Sequence, residues 1–256
     1  MTTVQLGRRD AVATVTLDRP ERLNAISPAL AADLIAALGQ AVQDPEVRVV
    51  ILTGSGQRAF CAGDDLKEEF PTGRAEARRL VEQIQAVTRL IMFQDKPVVA
   101  AVNGWAVGGG FEWVMNCDLS IWATHAQAFL PEVSLGLGVT GGTTALLPRL
   151  VGWQRARGLF FLGEKQSAQA LLEMGLAHAV VPGDRLMAEA NALADRLAAL
   201  PPAALRGLKR AITSVHRDEI ERAMTEETET LVGLLADPAA AERLAQLRAR
   251  GADAAS

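Results

Sequence analysis

Between Val12 and Leu17 apolar and polar residues alternate, the pattern of a strand with one buried face. A polar connection, Asp18 to Asn24, follows. Ser27-Pro28 has the form of an N-cap with proline at the first helical position, opening a helix to about Ala41. Val47 to Thr53 is β-branched and almost continuously apolar, as a strand buried on both faces should be, and it stops at Gly54-Ser55-Gly56. A charged stretch from about Arg74 to Phe93 predicts a second helix. Lys96-Pro97 separates it from a second buried strand, Val98 to Val102, which ends at Asn103-Gly104. Gly108-Gly109-Gly110 then leads into a short apolar helix, Phe111 to Met115. A third strand-like run, Leu119 to Trp122, heads towards Phe129-Leu130-Pro131-Glu132. From about Arg185, Ala, Leu, Arg and Glu recur at helical spacing, broken at Pro201-Pro202. Strands alternating with helices predict an α/β fold with crossover connections and mostly parallel pairing.

Composition narrows the classes without choosing among them. The 256 residues are 49% hydrophobic and 22% charged, with 26 basic against 30 acidic side chains. Such a chain can bury a large core, which excludes disordered, collagen-like and disulfide-scaffold readings. The acidic excess argues against a surface devoted to nucleic acid. Cys61 and Cys117 stand alone, with no histidine at metal-ligand spacing, and read as buried thiols of a reducing cytoplasm. The first residues lack the apolar run of a signal peptide, and no stretch approaches the ~20 apolar residues of a membrane span. A cytoplasmic protein without a bound metal, a membrane or a nucleic-acid partner is expected. There is no tyrosine, so a mechanism that needs a tyrosine acid or base is ruled out.

The candidate chemistry lies where two buried strands run into glycine turns and then helices. The first place is Phe60-Cys61-Ala62-Gly63-Asp64-Asp65-Leu66-Lys67, the second Gly108-Gly109-Gly110. In parallel α/β sheets ligands bind beyond the carboxyl ends of strands, where unpaired amides favour a negatively charged oxygen. Two such amides converging on one carbonyl oxygen would form an oxyanion hole; plain tight turns are the alternative. Glu112 and Glu132 sit among apolar neighbours, where a carboxyl titrates high enough for acid–base work near neutrality. The plainer alternatives are a helix N-terminal interaction for Glu112 and a solvated loop position for Glu132. Gly136-Leu137-Gly138-Val139-Thr140-Gly141 satisfies the dinucleotide fingerprint but follows no suitable strand. Arg243, Arg248 and Arg250 read as the solvated face of a helix, and Gly251 to Ser256 as a frayed end.

These motifs, in order and at their spacings, resemble the enoyl-CoA hydratase/isomerase, or crotonase, family. The carriers are Arg19-Pro20 with Leu23-Asn24-Ala25, then Ala59 to Leu66, then Lys96 to Gly104 with Gly108 to Glu112, and finally Cys117-Asp118 and Pro131-Glu132. The resemblance implies a spiral of ββα units with the acyl-CoA site in residues 1–195. It implies a helical oligomerisation region in 196–256, and a homotrimer or dimer of trimers. It implies an enoyl-CoA hydratase: Asp64 and Gly109 supply the oxyanion-hole amides, Glu112 helps activate water for C3, and Glu132 delivers a proton to C2. Arg22, Leu23, Ala62, Leu66 and Lys67 fall where the family contacts coenzyme A, which belongs to the substrate, so no separate cofactor is expected. Another acyl-CoA reaction, isomerisation or hydrolysis, and a non-catalytic acyl-CoA-binding or RNA-associated scaffold are the alternatives. Where hydratases often carry Pro-Gly this chain reads Gly138-Val139-Thr140-Gly141-Gly142, a loop expected to line the acyl pocket. Trp105 and Trp113 are expected to add bulk close to the second turn and to reshape the pocket.

Overall fold

The computed structural model describes residues 2–68, 71, 73–237, 239, 242 and 243. Strands β1 (Val4–Arg9) and β2 (Val12–Leu17) form a hairpin, and α1 (Pro28–Gln43) follows. Next come β3 (Val49–Gly54), β4 (Ala59–Cys61), α2 (Arg74–Met92), β5 (Val98–Val102) and β6 (Trp105–Val107). The middle of the chain holds α3 (Gly109–Asn116), β7 (Leu119–Ala123), β8 (Gln127–Phe129), α4 (Glu132–Leu135), α5 (Thr143–Val151) and α6 (Trp153–Leu162). Then β9 (Gln166–Ser167), α7 (Ala168–Glu173), β10 (Ala179–Val181), α8 (Leu186–Ala198) and α9 (Pro202–Leu235) complete the order. Among the described residues no helix is long and apolar enough to cross a membrane.

The expected parallel α/β architecture is present. A six-stranded sheet runs in the order β1-β2-β3-β5-β7-β10, antiparallel only between β1 and β2. Every residue of β3 and of β5 is buried, which explains their nearly unbroken apolar sequences. Ser27 does cap α1, its hydroxyl accepting from the Leu30 amide at 3.1 Å. The strand β1 escaped the sequence reading because it is an edge: Val4 alone is buried, and Arg8 and Arg9 face solvent.

A second, four-stranded sheet, β4-β6-β8-β9, changes how the site is built. The glycine turns do not follow the long strands β3 and β5 directly. Each of those strands passes through a sharp connection into a three-residue strand, β4 or β6, and these short parallel strands end at the turns. The first turn also opens no helix, because α2 begins only at Arg74. The second does, with α3 starting at Gly109. The dinucleotide-like glycines lie between α4 and α5, with Gly136 capping α4 in the left-handed region, so no nucleotide-binding strand precedes them.

Helix α9 divides by burial. Its first half exposes Leu208, Ile212 and Val215, at 59%, 60% and 76% open to solvent. Its second half buries Leu231, Val232 and Leu235 against Ala77 and Val81 of α2 and against Leu137. Arg243 is exposed, whereas Arg248, Arg250 and residues 251–256 lie outside the described residues.

Candidate active site

The first turn is held by its own motif. Asn24 is fully buried in a left-handed conformation, φ 55°, and its amide side chain donates to the carbonyls of Ser55 and Ala59 while accepting from the Arg19 amide. Arg19 in turn donates to the Ala25 carbonyl and the Asp65 carboxylate. This brings Leu23–Ile26 alongside the turn. The Ala62 amide donates to the Leu23 carbonyl, Ile26 to Gly63, and Asp65 to Ile26.

The second turn is pressed onto the first. A Cβ on Gly110 would lie 2.5 Å from the Cys61 carbonyl oxygen, and one on Gly63 would lie 2.9 Å from that of Val107. Only glycine fits these positions. Gly108 adds a left-handed φ of 51°, and a Cβ there would come within 2.5 Å of Glu132 Oε1. In this arrangement the amides of Asp64 and Gly109, one from each turn, donate to no described backbone or side-chain acceptor.

Both glutamates close on the second turn. Glu132 lies against Gly108, and a Cβ on Gly109 would stand 4.0 Å from Glu112 Oε2. They are 2% and 8% exposed for Glu112 and Glu132 respectively, which removes the solvated-loop reading of Glu132. Burial is the main cause that drives both carboxyls well above their ordinary range, and their mutual repulsion adds to it for Glu132. They differ in support. Glu112 accepts from the Thr140 amide at 2.8 Å and from its hydroxyl, bonds that favour its charged form. Glu132 Oε2 is buried without a partner among the described residues. The pair therefore titrates as a coupled unit whose two carboxyls are unequally supported.

Thr140 is itself clamped from two helices. The Gly141 amide donates to Gln85 of α2 at 3.1 Å. Glu227 of α9 accepts from the amides of Gly142 and Thr144 and from the Thr144 hydroxyl. The expectation that residues 138–142 wall the acyl pocket is corrected here. Thr140 is buried and reaches the site through Glu112. Trp113 is corrected too, being wholly buried in the core, whereas Trp105 does line the cavity.

That cavity, about 440 Å³, is bounded by Leu23, Ala62, Asp64, Leu66, Gly109 and Glu132, with Trp105, Phe129 and Lys165 on another wall. Sequence reading missed Lys165, whose Nζ sits 5.2 Å from the Trp105 ring centre and 5.8 Å from that of Phe129. Arg22 and Lys67 are exposed and outside the lining. A second cavity of about 580 Å³ adjoins, walled by Ile26, Pro28, Asp64, Leu80 and Gln83 among others.

The sequence profile of the enoyl-CoA hydratase/isomerase family matches residues 7–242. The chain belongs to that family. It is similar to the short-chain-enoyl-CoA hydratase of Clostridium acetobutylicum, at 36% identity over 88% of this chain and 87% of that one. Similarity to the crotonyl-CoA hydratase of Syntrophomonas wolfei is 35%, over 88% and 86%. A solved enoyl-CoA hydratase/isomerase structure from Xanthobacter autotrophicus superposes with a TM-score of 0.90 at 30% identity, covering 98% of this chain and 96% of that one. The crotonase-like spiral expected from the motifs is thus the fold of this enoyl-CoA hydratase/isomerase family member. Within it, Asn24, Asn103 and Asp118 are scaffold residues. Asn103 donates to the Gly56 and Ala59 carbonyls, and Asp118 accepts from the Val98 amide and from buried Lys209.

Proposed function

We propose that the protein hydrates the 2,3 double bond of a short 2-enoyl-CoA thioester. The observation that carries this reading is the placement of two buried, unequally supported carboxyls against the turn that presents the Gly109 amide. The amides of Asp64 and Gly109 receive the thioester oxygen and gain strength as negative charge develops there. Glu112 acts from its ionised form, which the two Thr140 bonds favour although burial lifts the carboxyl to about 8; it retains lone pairs for a water molecule and takes its proton as the hydroxyl adds to C3. Glu132, holding the pair's proton, passes it to C2 as the enolate collapses. Glu132 lines the largely apolar cavity and Glu112 is buried behind the second turn, so neither carboxyl has bulk water to compete for the substrate's water.

Coenzyme A is carried by the substrate in this scheme, along Leu23, Ala62 and Leu66, with Arg22, Lys67 and Lys165 as cations near its phosphates. Purified protein is expected to consume crotonyl-CoA, read as loss of enoyl-thioester absorbance. No turnover of any 2-enoyl-CoA by folded protein would overturn the reading. Cytoplasmic residence is part of the same proposal, supported by two free cysteines of which Cys61 is deeply buried.

Self-association is also proposed. Leu208, Ile212 and Val215 recur at helical spacing on the exposed half of α9, and Trp153, Phe161 and Leu162 add an open apolar surface on α6. A trimer or hexamer is the expected mass by light scattering. Exchanging Ile212 and Val215 for glutamate should shift it towards monomer, and a monomeric wild-type protein would refute the assembly.

A further inference from the structure

The hydratase reading uses Asp64 for its amide, yet its side chain is the less ordinary group. Asp64 is the one residue shared by the linings of the two cavities described, among the described residues. Its carboxyl accepts no hydrogen bond from any described residue. Arg19, the cation that braces this turn, is committed to Asp65 and the Ala25 carbonyl instead. Desolvation raises the Asp64 carboxyl to about 6, so it is largely ionised at neutral pH while still lacking a donor. Glu112 and Glu132 repel it from the first cavity, Asp65, Glu68 and Glu76 line the second, and Arg79 is the cation of that lining.

Resting on the hydratase reading, we propose that the Asp64 side chain sets acyl specificity at the passage between the two cavities. Leu23, Ala62, Leu66 and Glu132 place the thioester arm and the reacting carbons in the first cavity. An acyl group that continues beyond them enters the second, past Ile26 and Asp64. Ile26 is a close neighbour there, its Cδ1 within 2.9 Å of where a Gly109 Cβ would stand. Methylenes laid over an unpaired carboxylate strip its water and return no hydrogen bond. An anionic acyl terminus brings like charge to an acidic wall. A short acyl group stops before Asp64 and leaves its hydration intact. The passage therefore selects short, uncharged acyl groups and rejects both long aliphatic and dicarboxylic ones.

The test compares crotonyl-CoA, trans-2-octenoyl-CoA and glutaconyl-CoA as substrates of wild type, Asp64→Ala and Asp64→Asn. Calorimetric binding of butyryl-CoA and octanoyl-CoA to the same proteins runs beside it. Asp64→Ala is expected to raise the octenoyl-to-crotonyl ratio of kcat/KM by about tenfold, with the octanoyl-to-butyryl affinity ratio moving the same way. Asp64→Asn keeps the shape and removes the charge, so it should raise the glutaconyl-to-crotonyl ratio. It also decides the matter if alanine disturbs the turn. Ratios within about twofold of wild type in both variants would overturn the proposal. A wild type that turns over no enoyl-CoA refutes the hydratase reading alone, because the affinity ratios still report on Asp64.

Discussion

Glutamine in place of either Glu112 or Glu132 is expected to lower kcat for crotonyl-CoA hydration by about a thousandfold, the usual worth of a positioned acid or base. Both losses should appear in kcat, with binding of a saturated acyl-CoA little changed, because each glutamine keeps the shape of the side chain it replaces. The pH profile separates the roles. In wild type the pair works while it holds one proton. Activity should fall in acid as Glu112 gains a proton and fall in alkali as Glu132 loses its own. Since burial raises both carboxyls, Glu112 to about 8, the acid limb itself falls above neutrality and the working window lies on the alkaline side. Glu132→Gln should abolish the alkaline limb of the residual activity, and Glu112→Gln the acid limb. If one variant keeps near wild-type hydration, the two-carboxylate mechanism fails and single-glutamate isomerisation becomes the better account.

The second large effect is expected at Gly110. An alanine there places its Cβ 2.5 Å from the Cys61 carbonyl oxygen, 2.7 Å from Cys61 Cβ and 2.9 Å from Cys61 Sγ. The helix α3 and the first turn must then separate, and the amides of Asp64 and Gly109 separate with them. A stability loss of about 2–3 kcal/mol by denaturant titration is expected from overpacking. A further drop in kcat/KM of about a hundredfold should follow from a misaligned donor pair. Gly39 in α1 is the contrasting case, because a Cβ there meets nothing within 4 Å. Gly39→Ala should gain about 0.5–1 kcal/mol from helix propensity. Equal responses at the two glycines would show that the turns are not in the tight contact described.

These residues also show where sequence reading succeeds and stops. The strands β2, β3, β5 and β7 and the helices α1 and α2 were legible because burial on one or both faces imposes a period on at least five consecutive positions. The strands β4, β6 and β8 have three residues each, too few to carry a period, and so the turns were assigned to the wrong strands. Glu112 and Glu132 were visible as carboxyls in apolar surroundings. Thr140, Gln85 and Glu227 were not, since their meeting depends on α2 and α9 packing together across more than a hundred residues of chain. Trp113 does sit on the helix that the second turn opens, but its side chain is directed into the core and away from the cavity, a direction that sequence position does not reveal.

The hold of Glu227 on Gly142 and Thr144 has a consequence for synthesis. The chain is made from its N-terminus, so both glutamates and both glycine turns leave the ribosome long before residue 227 does. Until then the segment carrying Thr140 is held by Gln85 of α2 and Asn116 of α3 but lacks its second clamp, on α9. The glutamate pair is thus complete in composition early and complete in geometry late, with helix α9 acting as the part that finishes it.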